Sequence, residues 1–447
     1  MQTDQNQTIH TERVDITIQN GLILTMDADN SVIEDGYVCI KDDCIFQLGS
    51  GPSPYQAQKT LDAKGGIILP GLVNGHTHVP MSLFRGIADD LPLMEWLNNY
   101  IFPLESHVTA EFVYTGAMLA CAEMIMSGTT TFCDMYMFED EVARAAYETG
   151  MRCVVGEGLF DFDSPNYGSI KNGFVYTEAL ISKWQDSATV NISVDPHSVF
   201  TCAPDLLTTA NELALKHNTP FVIHLAETLT EVREIEDRYG KRPVQYLDSL
   251  GILGPHITAA HCVHLNQEEI DLLAENHVKV IHNPESNMKL ASGISPVPKL
   301  LASGVTVGIG TDGCASNNNL DLFSEMDVAA KLHKIDNMDP TAIKAGEVLR
   351  MATIEGAKAV ALDTVTGSLE QGKKADIIVV DTSRPNMVPI YNPCSNLVYS
   401  ATGANVIHSI INGQIVMYNQ SLLSFELCTV IDNARGFAKR IRQWLKK

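Results

Sequence analysis

The stretch Pro70-Gly71-Leu72-Val73-Asn74-Gly75-His76-Thr77-His78 closes an apolar run that begins at Gly66 and ends it on two imidazoles one residue apart. Side chains alternate across a strand, so His76 and His78 share a face and can converge on one ion, which immediate neighbours could not do. By itself the pair has a plainer reading, two polar residues in a glycine-rich turn. The rest of the chain has to decide.

Residues 66–73 are the first of eight short β-rich runs, followed by 129–132, 152–155, 191–194, 220–223, 257–260, 278–281 and 306–309, with helical stretches between them. That alternation predicts a parallel sheet with crossover helices. An open doubly wound sheet fits the count as well, but polar residues follow run after run, as expected of a barrel with its site at one rim. Both chain ends have another texture. Val14-Asp15-Ile16-Thr17-Ile18 and Gly36-Tyr37-Val38-Cys39-Ile40 alternate, with turn signals at Asn20-Gly21 and Asp35-Gly36. Similar strands return in 375–381 and 406–413, and a basic helix is expected over 433–447. The prediction is an α/β fold: a (β/α)8 TIM-like barrel over 69–367, flanked by a β-sandwich that both ends build from 1–68 and 368–447.

With 447 residues, 45% hydrophobic and 19% charged, the chain has the composition of a globular protein. Its 54 Asp and Glu against 31 Lys and Arg leave a net charge of -23, which repels phosphate backbones and argues against nucleic acid as a partner. No run approaches the ~20 apolar residues of a membrane span, and the opening residues 1–7 have neither a basic start nor an apolar stretch. No membrane partner and a cytoplasmic location are therefore expected. The ten cysteines include no Cys-x-x-Cys pair and read as reduced thiols.

Reading just past each run gives His76 and His78 after the first, His197 after the fourth, His224 after the fifth, His261 after the sixth and Asp312 after the eighth. Each alone is more commonly a hydrogen-bonded structural residue or a helix cap, but in a barrel the strand ends ring one cavity. Three imidazoles and one carboxylate suit one divalent metal, zinc first and iron as the alternative. The segment Val194-Asp195-Pro196-His197 lacks the bridging lysine of many two-metal barrels, which favours a single ion. Such an ion lowers the pKa of its bound water to about 7. If the chain turns over the rim after His224, Glu227 would act as general acid, with Asp312 taking the proton of the attacking water. The alternative for Glu227 is a solvated carboxylate at a helix start. His261 would orient the nucleophile, and His264 competes for that role.

Several segments together resemble the amidohydrolase superfamily, and closely its 5-methylthioadenosine/S-adenosylhomocysteine deaminase family. They are Pro70 to His78, Leu93-Met94-Glu95-Trp96-Leu97, His224-Leu225-Ala226-Glu227-Thr228, Ala260-His261-Cys262-Val263-His264, His282-Asn283-Pro284-Glu285-Ser286-Asn287-Met288-Lys289-Leu290-Ala291-Ser292-Gly293 and Gly310-Thr311-Asp312-Gly313. The resemblance spans nearly the whole chain. It implies a single metal held by His76, His78, His224 and Asp312, with Glu227 as proton shuttle. It also implies a small-molecule nucleoside substrate with water, and a homo-oligomer, dimer or tetramer. Glu105 would accept hydrogen bonds from the ribose hydroxyls, His197 would meet the sugar side, and Trp96 would pack near the pocket mouth. The plainer alternatives are a helix-terminus carboxylate for Glu105 and a core aromatic for Trp96.

Members of that family that take S-adenosylhomocysteine would carry an arginine after the third strand to hold its carboxylate. Here the stretch reads Gly156-Glu157-Gly158-Leu159-Phe160-Asp161-Phe162-Asp163, and Lys171 is the only basic residue nearby. Glu157 and Asp163 would repel a carboxylate, with Glu157 counted among the substrate-facing residues. 5'-Methylthioadenosine, adenosine or 5'-deoxyadenosine is therefore expected over S-adenosylhomocysteine. The rivals are another aza-aromatic deaminase or triazine-type hydrolase on the same scaffold, and, from a different class, a non-catalytic metal-stabilised binding protein.

Overall fold

The computed structural model of the protein describes residues 12–91 and 93–445. The opening stretch 1–7 and the last two lysines of the expected basic helix lie outside them. Among the described residues no single helix is long and apolar enough to cross a membrane.

The middle of the chain is a set of parallel strands separated by helices. One half-sheet runs from Leu72–Thr77 through Thr129–Tyr136 and Arg152–Leu159 to Val190–Ile192 and Asp195–Pro196. The other runs Phe221–Leu225, Ile257–His261, Lys279–His282 and Val307–Ile309, again all parallel. Every residue of Thr129–Tyr136 and of Arg152–Leu159 is buried, which is why these runs do not alternate apolar with polar positions. At one margin Val194 pairs with Phe221 and Ser198 with His224. At the other the Asp312 N–H donates to the His76 carbonyl at 2.9 Å.

Two expected runs divide in ways the apolar pattern does not reveal. The run 66–73 is two strands: Ile67–Pro70 pairs with strands from the chain ends, and Leu72–Thr77 belongs to the parallel set. Gly71 makes the break, because a Cβ there would sit 2.1 Å from the Thr130 side chain, so only glycine lets the chain cross so close. The end sheet thus reaches Pro70, past the boundary expected at residue 68. The fourth run also splits. The Ser193 N–H still donates to Val155, but the Val194 N–H has switched to Pro220 on the far side.

The two chain ends form one nine-stranded sheet, in which Ile377–Val380 joins the C-terminal strands to Ile67–Pro70 and so to Arg13–Leu24. Arg13–Leu24 takes Gln56–Asp62 along its first half and Ile67–Pro70 along its second, so the sheet forks there. A separate apolar core including Ile18, Ile23, Val38, Ile40, Val379 and Ile410 fills it. The C-terminal helix begins earlier than its basic residues, at Leu427–Trp444, because its buried stripe of Val430, Ala434, Phe437 and Ile441 starts before them.

Arg152, at the base of the third parallel strand, ties the two regions together. Its guanidinium meets Asp376 of the end sheet through Nε at 2.6 Å and Nη2 at 3.1 Å, and Nη1 donates to the Ala188 carbonyl at 2.8 Å. Both side chains are buried, so removing the cation leaves an uncompensated carboxylate. Arg152→Met is expected to cost about 3–5 kcal/mol in denaturant unfolding. A loss below about 1 kcal/mol would mean that the pair contributes little.

Candidate active site

Parallel strands place side chains at their C-terminal ends around one rim. His76 lies inside the first strand, with His78 just past its end. His224 is the fourth residue of Phe221–Leu225, His261 ends Ile257–His261, and Asp312 follows Val307–Ile309 by three residues. The ligand atoms of His76, His78 and Asp312 all lie within 4.8 Å of one another, as do those of His76, His224 and His261. The His78 Nε2 is 3.2 Å from Asp312 Oδ1 and 3.3 Å from His224 Nε2.

The ring orientations suit a cation. Nδ1 of His78 bonds the Met135 carbonyl and Nδ1 of His224 the His197 carbonyl, so both Nε2 atoms face inward. Both nitrogens of buried His76 have no hydrogen-bond partner among the described residues. Burial, reinforced by neighbouring imidazoles, holds His76 and His224 well below the usual histidine range, as neutral rings with lone pairs to give. Burial opposes charge on His78 and Asp312 too, but each offsets it for the other. His78 is raised to about 9 and Asp312 is held well below the carboxylate range, so the Asp312 carboxylate is ionised and faces a proton on His78. With a cation in place of the His78 proton, three imidazole nitrogens and a carboxylate oxygen are a zinc-type donor set.

The chain does turn over the rim after His224. The strand ends at Leu225 and Ala226 has φ 51°, a left-handed bend. Buried Glu231 accepts the N–H groups of Ala226 and Glu227, both at 2.8 Å, and Thr228 caps the helix Leu229–Tyr239. Those two residues do the helix-start work, leaving the Glu227 carboxylate to face Ser292, whose Oγ is 3.4 Å away. His261 has φ 70° and its Nδ1 donates to Asn287 Oδ1 at 2.9 Å, which turns Nε2 toward His76 and His224. His264 bonds the Ser292 carbonyl through Nε2 at 2.6 Å and braces the loop instead of joining the cluster.

The remaining expected residues sort by environment. The His197 ring is 4.8 Å from that of His224, and its Nδ1 bonds Thr201 Oγ1 at 2.9 Å. Burial and the His78 charge push it down to about 3, so it is neutral. Burial pushes the Glu105 carboxyl up to about 7, partly offset by the Tyr136 hydroxyl and His78. Trp96 is buried and lines a small cleft with Asp89, Lys289, Leu290 and Ala315. Glu157 has structural partners. It is fully buried within its strand, accepting the Glu139 N–H at 3.0 Å and Asn166 Nδ2 at 2.9 Å. Those bonds link the turns after the second and third strands.

The sequence matches the amidohydrolase family over residues 67–416. The chain belongs to the amidohydrolase family. It is 53% identical over 433 residues to a 5-methylthioadenosine/S-adenosylhomocysteine deaminase of Syntrophobacter fumaroxidans, covering 96% of this chain and 99% of that one. It is 46% identical over 429 residues to a 5'-deoxyadenosine deaminase of Methanosarcina mazei, covering 96% and 98%. Among solved structures, an adenosine deaminase from Xanthomonas campestris with bound zinc superposes with a TM-score of 0.95 at 37% identity, covering 97% of this chain and 99% of that one.

This amidohydrolase site has supports that sequence reasoning did not assign. Ser286 donates to Asp312 Oδ2 at 2.6 Å and Ser316 to the same oxygen at 3.0 Å, which leaves Oδ1 toward His78. Asn74 accepts the Thr311 N–H at 3.0 Å and donates to its hydroxyl at 2.8 Å, fastening the first strand to the last. Gly310 allows that approach, since a Cβ there would be 2.7 Å from the His76 nitrogen. Ser286 and Asn287 sit in the segment His282 to Gly293, so their position carried a signal, but their roles depend on tertiary contacts. Ser286→Ala is expected to weaken metal affinity about 10–100-fold in a chelator competition. Equal affinity would deny Ser286 a positioning role.

Proposed function

We propose that the protein is a metal-dependent hydrolytic deaminase that converts an adenine nucleoside and water to the inosine-type nucleoside and ammonia. The observation that carries this reading is the meeting, on one rim, of the three-imidazole and carboxylate donor set with a separately held Glu227. The relatives' names supply the adenine nucleoside. Closure of the parallel strands into a (β/α)8 barrel, with the forked end sheet as a flanking β-sandwich, is the architecture that fits this rim.

His76, His78, His224 and Asp312 would hold one divalent ion, most simply zinc. When bound, the ion supplies Lewis acidity and makes water a competent nucleophile near neutral pH. The protein's own residues do the rest. Asp312 accepts a proton from water as its oxygen adds to C6 of the purine, and His261 orients that oxygen through its inward Nε2. Glu227 delivers a proton to N1, so negative charge does not build on the ring. Asp312 passes the proton it took to the amino nitrogen, the C6–N bond breaks and releases ammonia, and the hydroxyl proton returns to Glu227 as C6 keeps the oxygen as a carbonyl. Glu105 would accept the ribose hydroxyls when ionised, and His197 would meet the sugar.

Turnover in 18O-labelled water tests the reading. One label in the purine of the product, with one ammonia per nucleoside, is expected. Release of free adenine, or no turnover of any adenine nucleoside, would overturn it.

A further inference from the structure

Two phenylalanines follow the third strand and lie on the outer side of His197. The Phe160 ring centroid is 5.4 Å from His197, and Phe162 stacks on Phe160 at 4.7 Å with 10° between the planes. With His224 and His197 4.8 Å apart, a line of rings runs from the metal-binding cluster to solvent. Phe160 is half-buried, and Phe162 is 53% exposed. An exposed phenylalanine stacked on the wall of a polar site adds little to folding, so its position needs another reason.

The shelf is built rather than incidental. The Phe160 N–H donates to the Tyr167 hydroxyl at 3.3 Å, and that hydroxyl donates to the Gly158 carbonyl at 2.9 Å. Between the rings, the Asp161 N–H donates to the Thr201 carbonyl at 3.2 Å and its carboxylate accepts the Ala203 N–H. Thr201 also holds His197. The turn after the third strand and the loop at Thr201 therefore hold Phe160 and the imidazole in one frame, with Phe162 stacked on Phe160. Neither ring takes part in a cation–π contact among the described residues. Arg238 reaches this loop, but its guanidinium is engaged by the Phe200 carbonyl and Glu234.

We propose that Phe160 and Phe162 are specificity-determining residues that receive the 5' substituent of the nucleoside, favouring an uncharged apolar group such as a thioether over a hydroxyl or a zwitterionic amino acid. This rests on the deaminase reading with the sugar at His197. A face of two stacked rings offers dispersion and apolar burial to a methylthio group and no partner to a carboxylate.

The test compares kcat/KM for 5'-methylthioadenosine, 5'-deoxyadenosine, adenosine and S-adenosylhomocysteine in the native metal-loaded enzyme, Phe162→Ala and Phe160→Leu, with thermal melts to establish folding. In the native enzyme methylthioadenosine is expected to exceed S-adenosylhomocysteine at least about tenfold. In Phe162→Ala the methylthioadenosine-to-adenosine ratio is expected to fall about tenfold, mainly through KM. The exposed position of Phe162 makes a folding defect a poor explanation of that change. An unchanged ratio in both variants, with adenosine still turned over, overturns this assignment alone. No turnover of any of the four by native enzyme overturns the deaminase reading and this one with it.

Discussion

Glu227→Gln is expected to lower kcat by about 10²–10⁴-fold while the protein keeps its full metal content. The amide matches the carboxyl in shape but cannot deliver a proton to a ring nitrogen. The rest of the local structure does not depend on that charge. Glu231 holds the Ala226 and Glu227 amides, Thr228 caps the following helix, and the Ser292 contact at 3.4 Å is open to an amide oxygen. Glu227 is also absent from both groups of ligand atoms around His76. Steady-state ammonia release and metal analysis on one preparation check the two halves. Unchanged turnover would remove Glu227 from the chemistry, and metal loss would make it part of the binding shell.

Asp312→Asn is expected to do the converse, with metal content falling to a small fraction of native and turnover dropping more than about a thousandfold. The substitution removes the one anion of the donor set from a site where the imidazoles alone must balance a dication. Its carboxylate also holds His78 at 3.2 Å and is itself held by Ser286 and Ser316, so the loss reaches the ring as well as the charge. Metal content after gel filtration and activity with added zinc measure it. A variant that retains stoichiometric metal would show that the imidazoles suffice.

Much of the candidate site is legible in the chain because strand ends are short-range features. An apolar run followed by histidine puts that residue on a rim whatever the exact strand limits, and His76, His78, His224, His261 and Asp312 do meet there. Features set by packing across the molecule are not legible in that way. The break at Gly71 depends on Thr130, almost sixty positions away, and the divided fourth run depends on Val194 changing its partner from the third strand to Pro220. Glu157 is legible as a strand-end carboxylate, but its partners Asn166 and the Glu139 amide are set by packing and are not. Ser286, Ser316 and Asn287 act only through the side chains they hold, so no spacing rule isolates them. The pairing of the chain ends was readable from matching strand texture, but the fork at Arg13–Leu24 follows from one strand serving two partners along its length.

The most direct measurement is ammonia release from adenosine, 5'-methylthioadenosine, 5'-deoxyadenosine, S-adenosylhomocysteine and free bases, with enzyme stripped of metal and then titrated with zinc. The expected result is deamination of adenine nucleosides that rises with bound zinc and saturates at one ion per chain, with little turnover of free bases. Fully loaded protein that releases no ammonia from any nucleoside, or stripped protein as active as loaded, would contradict the account.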